Sequence, residues 1–240
     1  QLTKITFDNF STYGATNMQS MFSNCSKLIT LDVSKFNTSN VTSMLEMFYN
    51  CKALTTLNLS NFNTSSVTNM QTMFSGCMAL TTLDLSGFNT INVITMRTMF
   101  NNCKALTTIY VSEFNAETST GWTTTAVTNS TSMFSNCTNI IGGNGTTYNN
   151  NITDKTYAVI DTAETPGYLT NINKNKKINR LISASRVAPT GKYLNSTIIK
   201  NKIETIEFKL GKEKPEGTIE TFDASEKQDE SIMAYYTDTD

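Results

Sequence analysis

The sequence contains no histidine. That removes imidazole general bases, Ser-His and Cys-His nucleophile pairs, and most zinc sites. Charge is also scarce: only 16% of residues are Asp, Glu, Lys or Arg, against ~25% in ordinary soluble domains. The 19 basic and 20 acidic residues nearly cancel, leaving a net charge of -1. Such a chain has no field for gripping nucleic acid or an anionic membrane. There is no signal peptide and no apolar run approaching ~18 residues, so direct membrane insertion is not expected. Thr, Ser and Asn take the place of charge. A polar, weakly charged surface of this kind is common in secreted proteins.

What the sequence has is a repeat. Four cysteines, Cys25, Cys51, Cys77 and Cys103, lie 26 residues apart, and Cys137 follows after 34. Phe10, Phe36, Phe62, Phe88 and Phe114 keep the 26-residue step. So do the Met-Phe pairs at 21–22, 47–48, 73–74 and 99–100, with a later pair at 133–134. An eight-residue insertion between Phe114 and Val127 accounts for the longer last step.

Each repeat opens on an L-x-x-L/I-x-apolar segment, at 2–7, 28–33, 54–59, 80–85 and 106–111. Leu57 and Leu59 alternate with Thr56 and Asn58, which is strand periodicity. The next segment changes period. Val67, Met70, Met73, Phe74 and Cys77 recur at i, i+3, i+6, i+7 and i+10. This spacing predicts one face of a two-turn helix, with Ser65 or Ser66 as cap and Gly76 or its Asn equivalents ending it in a left-handed conformation. One such coil cannot bury its apolar side alone. Stacked coils can. The expected fold class is therefore α/β, a solenoid of strand plus short helix per 26-residue coil.

The methionines and cysteines raise the question of a sulfur-based metal or redox site. Nine of the eleven methionines occupy the two expected helix-face positions. A metal site gathers a few converging ligands and does not repeat one ligand in every coil. Met is read as core filler and Cys as a small buried hydrophobe; no cofactor or metal is expected. Ladder side chains point in parallel and five is an odd number, so free, buried thiols are expected.

The motif LTTLDLSGFNT followed by V-x-x-M-x-x-M-F-x-x-C resembles the 26-residue leucine-rich repeats of BspA-like bacterial surface proteins. The likeness covers residues 2–140, and 140–170 resembles the element that closes such arrays. The resemblance implies a leucine-rich-repeat solenoid over 1–141 with an insertion at 115–128, and a cap over 142–170. It also implies an extracellular, cell-surface or secreted location and a non-enzymatic role in adhesion. The partner would be a host or bacterial surface protein or a glycan. Self-association as a structural spacer in a surface fibre is the alternative.

Gln1 falls inside the pattern, which suggests a piece of a longer chain. The polar, basic segment 171–180 reads as a linker, and four cations without interleaved aromatics point to a solvated surface rather than nucleic acid. Residues 181–240 read as a small α+β beginning of a second module. Its strands are expected at 203–210 and 231–236, with a helical segment near 192–199. Asp238 and Asp240 have the spacing of a calcium-loop start, but the remainder of such a loop is absent.

In leucine-rich arrays the strands share one sheet with an exposed outer ladder. Here that places Asp32, Thr56, Asn58, Thr82, Asp84, Thr108 and Tyr110 outward. A solvated sheet rich in Thr and a partner-binding face both fit this pattern. Asn37, Asn63, Asn89 and Asn115 are read as structural amides that bond neighbouring turns. Trp122, the sole tryptophan, lies in the insertion. It is expected either to form a contact patch with Tyr110 or to fold back over the array, in which case it is buried.

Overall fold

The computed structural model describes residues 2–7, 10–173, 208–210 and 220–222. The chain divides into two units, Gln1–Ile172 and Asn173–Asp240. The repeat lies in the first. β1 (Lys4–Ile5) pairs in parallel with β2 (Thr30–Leu31), Lys4 opposite Thr30. β3 (Thr82–Asp84), β4 (Thr108–Val111) and β5 (Leu169–Asn171) form a second parallel sheet. Thr82 stands opposite Thr108, and Ile109 opposite Leu169. No strand forms at 54–59, where Thr55 N–H reaches Ile29 O at 3.4 Å. Two short sheets thus replace the single expected one. The alternation survives the break: Leu57 and Leu59 are buried while Thr56 and Asn58 are exposed.

The expected helix does not form, and the fold is not an α/β leucine-rich-repeat solenoid. Within the described residues of 2–171 there is no α-helix, only a single 3-10 turn at Lys155–Tyr157. The reason lies in the backbone of 67–77. Thr72 (φ 60°) and Gly76 (φ 77°) are both left-handed, as are Glu46 and Asn50, Thr98 and Asn102, Ser132 and Asn136 in their own copies. The left-handed Asn or Gly before each cysteine agrees with the sequence reading. The second such residue, four positions earlier, breaks any helix.

Backbone donors divide accordingly. Met73, Ser75 and Cys77 donate locally to Met70 O, Thr72 O and Phe74 O, closing consecutive turns. Met70, Thr72, Phe74 and Gly76 donate to Thr95, Arg97, Met99 and Asn101 of the next copy at 2.8–3.0 Å. Val67, Met70, Met73, Phe74 and Cys77 all remain fully buried. The apolar face was legible in the spacing, but turns rather than a helix create it.

Stacking one copy on the next builds the core. Phe22, Phe48, Phe74, Phe100 and Phe134 form a column with ring centroids 5.7, 5.7, 5.8 and 5.3 Å apart, the offset-stacked spacing favoured by aromatic pairs. All five thiols are free. The Cys51, Cys77, Cys103 and Cys137 thiols are buried and donate to the Phe22, Phe48, Phe74 and Phe100 carbonyls. Burial pushes the Cys51 and Cys137 thiols up to about 12, and those of Cys77 and Cys103 also upward.

A second column was missed by the sequence reading. Thr12, Thr38 and Thr64 are buried, and each hydroxyl donates to the carbonyl of Asn37, Asn63 or Asn89 while accepting that residue's N–H. Asn37 and Asn63 accept locally from Ser39 and Ser65, whereas the Asn89 amide also donates to Ser119 O in the loop that follows, at 3.0 Å. The Thr of each F-N-T motif therefore carries a paired bond between copies, and the Asn shapes the turn.

The insertion sits earlier than the spacing of phenylalanines suggests. Phe114 is exposed, whereas Trp122 is buried like Phe36, Phe62 and Phe88. Thr123 N–H donates to Thr90 Oγ1 at 2.7 Å, and Thr90 Oγ1 donates to Thr123 O at 2.7 Å. Trp122-Thr123-Thr124 is thus the fifth F-N-T, and residues 114–121 are the extra eight. Residues 114–120 form a small exposed loop closed by Asn115 and Thr120. Gly121, at φ +102°, lets the chain re-enter the stack, because a Cβ there would lie 2.5 Å from Glu113 O.

The segment after Cys137 closes the stack. Tyr168 packs edge-on against Phe134 at 5.1 Å. Thr153 O and Tyr148 Oη receive the Phe134 and Asn136 donors that a further copy would otherwise take. Ser130, which replaces a methionine, accepts from Lys155 N at 3.1 Å.

In the second unit, β6 (Phe208–Leu210) pairs antiparallel with β7 (Glu220–Phe222). Most of the 171–180 linker, the 192–199 helical segment, the 231–236 strand and the Asp238–Asp240 calcium hint lie outside the described residues.

Candidate functional site

The outward positions of the first four coils gather along one groove of about 700 Å³. Asp32, Thr56, Asn58, Thr82 and Asp84 contribute to its wall. Their order follows from the stacking: parallel register repeats each outward position one copy later. Lys4 and Lys35 add cations, and Phe7, Phe10 and Phe36 close one end. Phe7 and Phe36 meet edge-on at 5.1 Å, and Phe10 lies 5.7 Å from Phe36. The groove combines amide, hydroxyl and carboxylate groups with an aromatic end.

Some of these polar groups are partly engaged. Asp32, Asn58 and Asp84 each accept the N–H of the serine two residues later at 2.9, 3.0 and 2.9 Å. These are Asx turns that follow the alternating segment of each copy. Hydrogen bonds from the Ser34 hydroxyl and then its N–H hold the Asp32 carboxyl below the usual range. An ionised carboxylate keeps acceptor capacity beyond one such bond, so Asp32 and Asp84 can still receive an external donor.

Thr108 and Tyr110 belong to β4 but lie outside the groove wall and are half-buried. For Trp122 the buried alternative holds and the contact patch does not. Its side chain is 6% exposed, and its indole N–H donates to Ala158 O at 2.9 Å inside the cap. It offers no surface for a contact patch with Tyr110, because it fills the phenylalanine position of the stack. Lys4, Phe7, Phe10 and Lys35 were not singled out from the sequence. Phe10 was visible as the first of the phenylalanine series, but nothing in the spacing shows that the first copy leaves its ring open.

Among the described residues no three His, Cys, Asp or Glu side chains are placed to hold a metal ion. No helix among them is long and apolar enough to cross a membrane.

The profile of the family described as Mycoplasma protein of unknown function, DUF285, matches residues 16–141 and 109–168. The chain belongs to this family. The two matches overlap at residues 109–141 and together take in the loop and the closing segment, so the DUF285 likeness extends across the irregular copy into the cap. No curated protein matches the chain, and no solved structure matches it.

Proposed function

We propose that this chain is a non-enzymatic, BspA-like bacterial surface protein that holds an extracellular protein or glycan along its outward groove. The observation that carries this reading is the groove itself. It brings Asp32, Thr56, Asn58, Thr82 and Asp84 into one polar surface bordered by the exposed ring of Phe10 and the half-buried ring of Phe7. Side-by-side hydroxyl, amide and carboxylate groups match the hydroxyls of a sugar or the backbone of an extended peptide, and an exposed ring gives either one an apolar contact. Such a site works at the cell surface or in the secreted state, where avidity from several weak contacts suits adhesion. The alternative is a structural spacer in a surface fibre. The continuous ring and hydroxyl columns, which stiffen the stack, favour it.

Surface plasmon resonance against mucin, extracellular matrix proteins and a glycan panel separates the two. The adhesin reading predicts binding by the chain and its loss in Thr56→Arg, which fills the groove from an exposed position. Binding by neither protein favours the spacer.

A further inference from the structure

A second hollow, of about 470 Å³, lies beside the loop at the F-N-T corner of the third and fourth copies. Asn63, Ser86, Gly87, Ser112, Glu113 and Thr120 contribute to its wall. Two departures from the repeat create it. The first is Gly87. The same position holds Lys35, Asn61 and Glu113 in the neighbouring copies. Asn61 reaches back and donates its amide N–H to Ser34 O. Gly87 leaves the equivalent Ser60 carbonyl without a donor among the described residues. The fold does not call for glycine here. Its backbone is not left-handed, and a Cβ would meet only Ser60 O at 3.7 Å, an ordinary contact. What the glycine supplies is an open recess.

The second departure is the loop, which walls the recess and is held in shape by its own bonds. Asn115 N–H and Thr120 N–H donate across it to Thr120 O and Asn115 O at 2.8 and 3.3 Å. Asn115 Oδ1 accepts from Glu117 N–H and Thr118 N–H, and the Asn89 amide ties Ser119 O to the fourth copy. A wall set in advance needs little ordering when a ligand arrives. Its polar groups are of both kinds. Asn63 Oδ1 is taken by the Ser65 N–H and hydroxyl, so the Asn63 amide N–H groups remain as donors. The exposed Glu113 carboxylate makes no hydrogen bond among the described residues and is an acceptor. The Ser112 hydroxyl donates to Ser86 O at 2.7 Å and keeps its lone pairs. No Lys or Arg lines the hollow.

We propose that this hollow is a subsite for one neutral, hydroxyl-bearing sugar residue, oriented by the Glu113 carboxylate and the Asn63 amide. Its volume falls in the range of small-ligand pockets, about 300–1,000 Å³. A sugar hydroxyl both donates and accepts, so neighbouring hydroxyls satisfy Glu113 and Asn63 together. An ammonium or guanidinium group only donates and leaves the Asn63 amide unmet. An acidic sugar sets its own carboxylate against Glu113 with no cation to offset the repulsion. The site is on different residues from the outward groove and does not rest on that reading.

Saturation-transfer NMR on the full chain tests this. The probes are the methyl glycosides of glucose, galactose, mannose and N-acetylglucosamine, with sialic acid and lysine methyl ester as charged counter-probes. The expected result is transfer to at least one neutral glycoside and to neither charged probe. Gly87→Asn restores the residue of the preceding copy, fills the recess and gives Ser60 O a donor. It should abolish the transfer while the melting temperature holds or rises. Glu113→Gln, at an exposed position, should weaken binding about tenfold by taking the charge from one hydrogen bond. Thr56→Arg, in the groove, should leave the transfer unchanged. Transfer to no neutral glycoside, or transfer that survives both Gly87→Asn and Glu113→Gln, overturns the proposal. Transfer lost only in Thr56→Arg also overturns it, because the sugar then sits in the groove. A response confined to lysine methyl ester does so too, because the occupant is then a cationic side chain.

Discussion

The Trp122 indole N–H donates to the Ala158 carbonyl at 2.9 Å, tying the one irregular copy to the segment that closes the stack. Trp122 therefore does two jobs: it fills the phenylalanine position and meets a buried cap carbonyl. Trp122→Ala is expected to cost about 3–5 kcal/mol, the range for deleting a large buried ring. Trp122→Phe restores the residue of the inner copies and leaves the carbonyl unmet, at about 1–2 kcal/mol. Urea denaturation of the two variants checks the order.

Leu83 is fully buried in β3. Leu83→Asp places a carboxylate inside the core and is expected to unfold the stack, since an unpaired buried charge costs several kcal/mol. An unchanged melting temperature would contradict the register described above.

The cap carries a pH dependence. Asp161 is buried and accepts from Asn144 N–H, Thr146 N–H, the Thr146 hydroxyl and Gly167 N–H. Burial pushes its carboxyl upward, but the hydrogen bonds from Thr146, Asn144 and Gly167 together outweigh it and hold it below the usual value. A lowered carboxyl stabilises the fold above its unfolded pKa of about 3.9, and that contribution is lost as pH falls through the folded value. Asp161→Asn should cost about 2–3 kcal/mol at neutral pH. The gap between variant and parent should shrink below about pH 4. Thermal melts across pH check it. Gly142 supports the same cap, because a Cβ there would lie 2.5 Å from Asp161 Oδ2.

The thiols should divide sharply. Cys51, Cys77, Cys103 and Cys137 are buried and raised, whereas Cys25 is half-buried. Nucleophilic thiol chemistry needs access and thiolate. Disulfide-exchange titration of the native chain should show one fast thiol, and the other four only on unfolding.

The period, the inward positions and the free thiols could be read directly because they depend on spacing and apolarity alone. Thr56 and Asn58 are exposed beside buried Leu57 and Leu59 even though no strand forms there. The helix could not be separated from a run of turns by spacing, since Met70, Met73, Phe74 and Cys77 share a face in both. What decides is the conformation of Thr72, and threonine carries no mark of a left-handed backbone. Trp122 was misplaced for a related reason. Counting 26 from Phe88 reaches Phe114, and only the bond between Thr123 and Thr90 shows that the chain re-enters eight residues later. The groove's polar wall follows from strand alternation, but its aromatic end depends on the first copy lacking a cover.

Each copy closes in turns with a left-handed residue where a helix was expected. Ser132 tests this most directly: its φ is 56°, and its side chain makes no hydrogen bond among the described residues. In a helix interior, alanine is favoured over glycine by about 1 kcal/mol. At a left-handed position the order reverses, because a Cβ costs roughly 1–2 kcal/mol there. The measurement is the stability difference between Ser132→Gly and Ser132→Ala by chemical denaturation. The turn stack predicts that the glycine variant is the more stable. A more stable alanine variant would contradict it and return a helix to every copy.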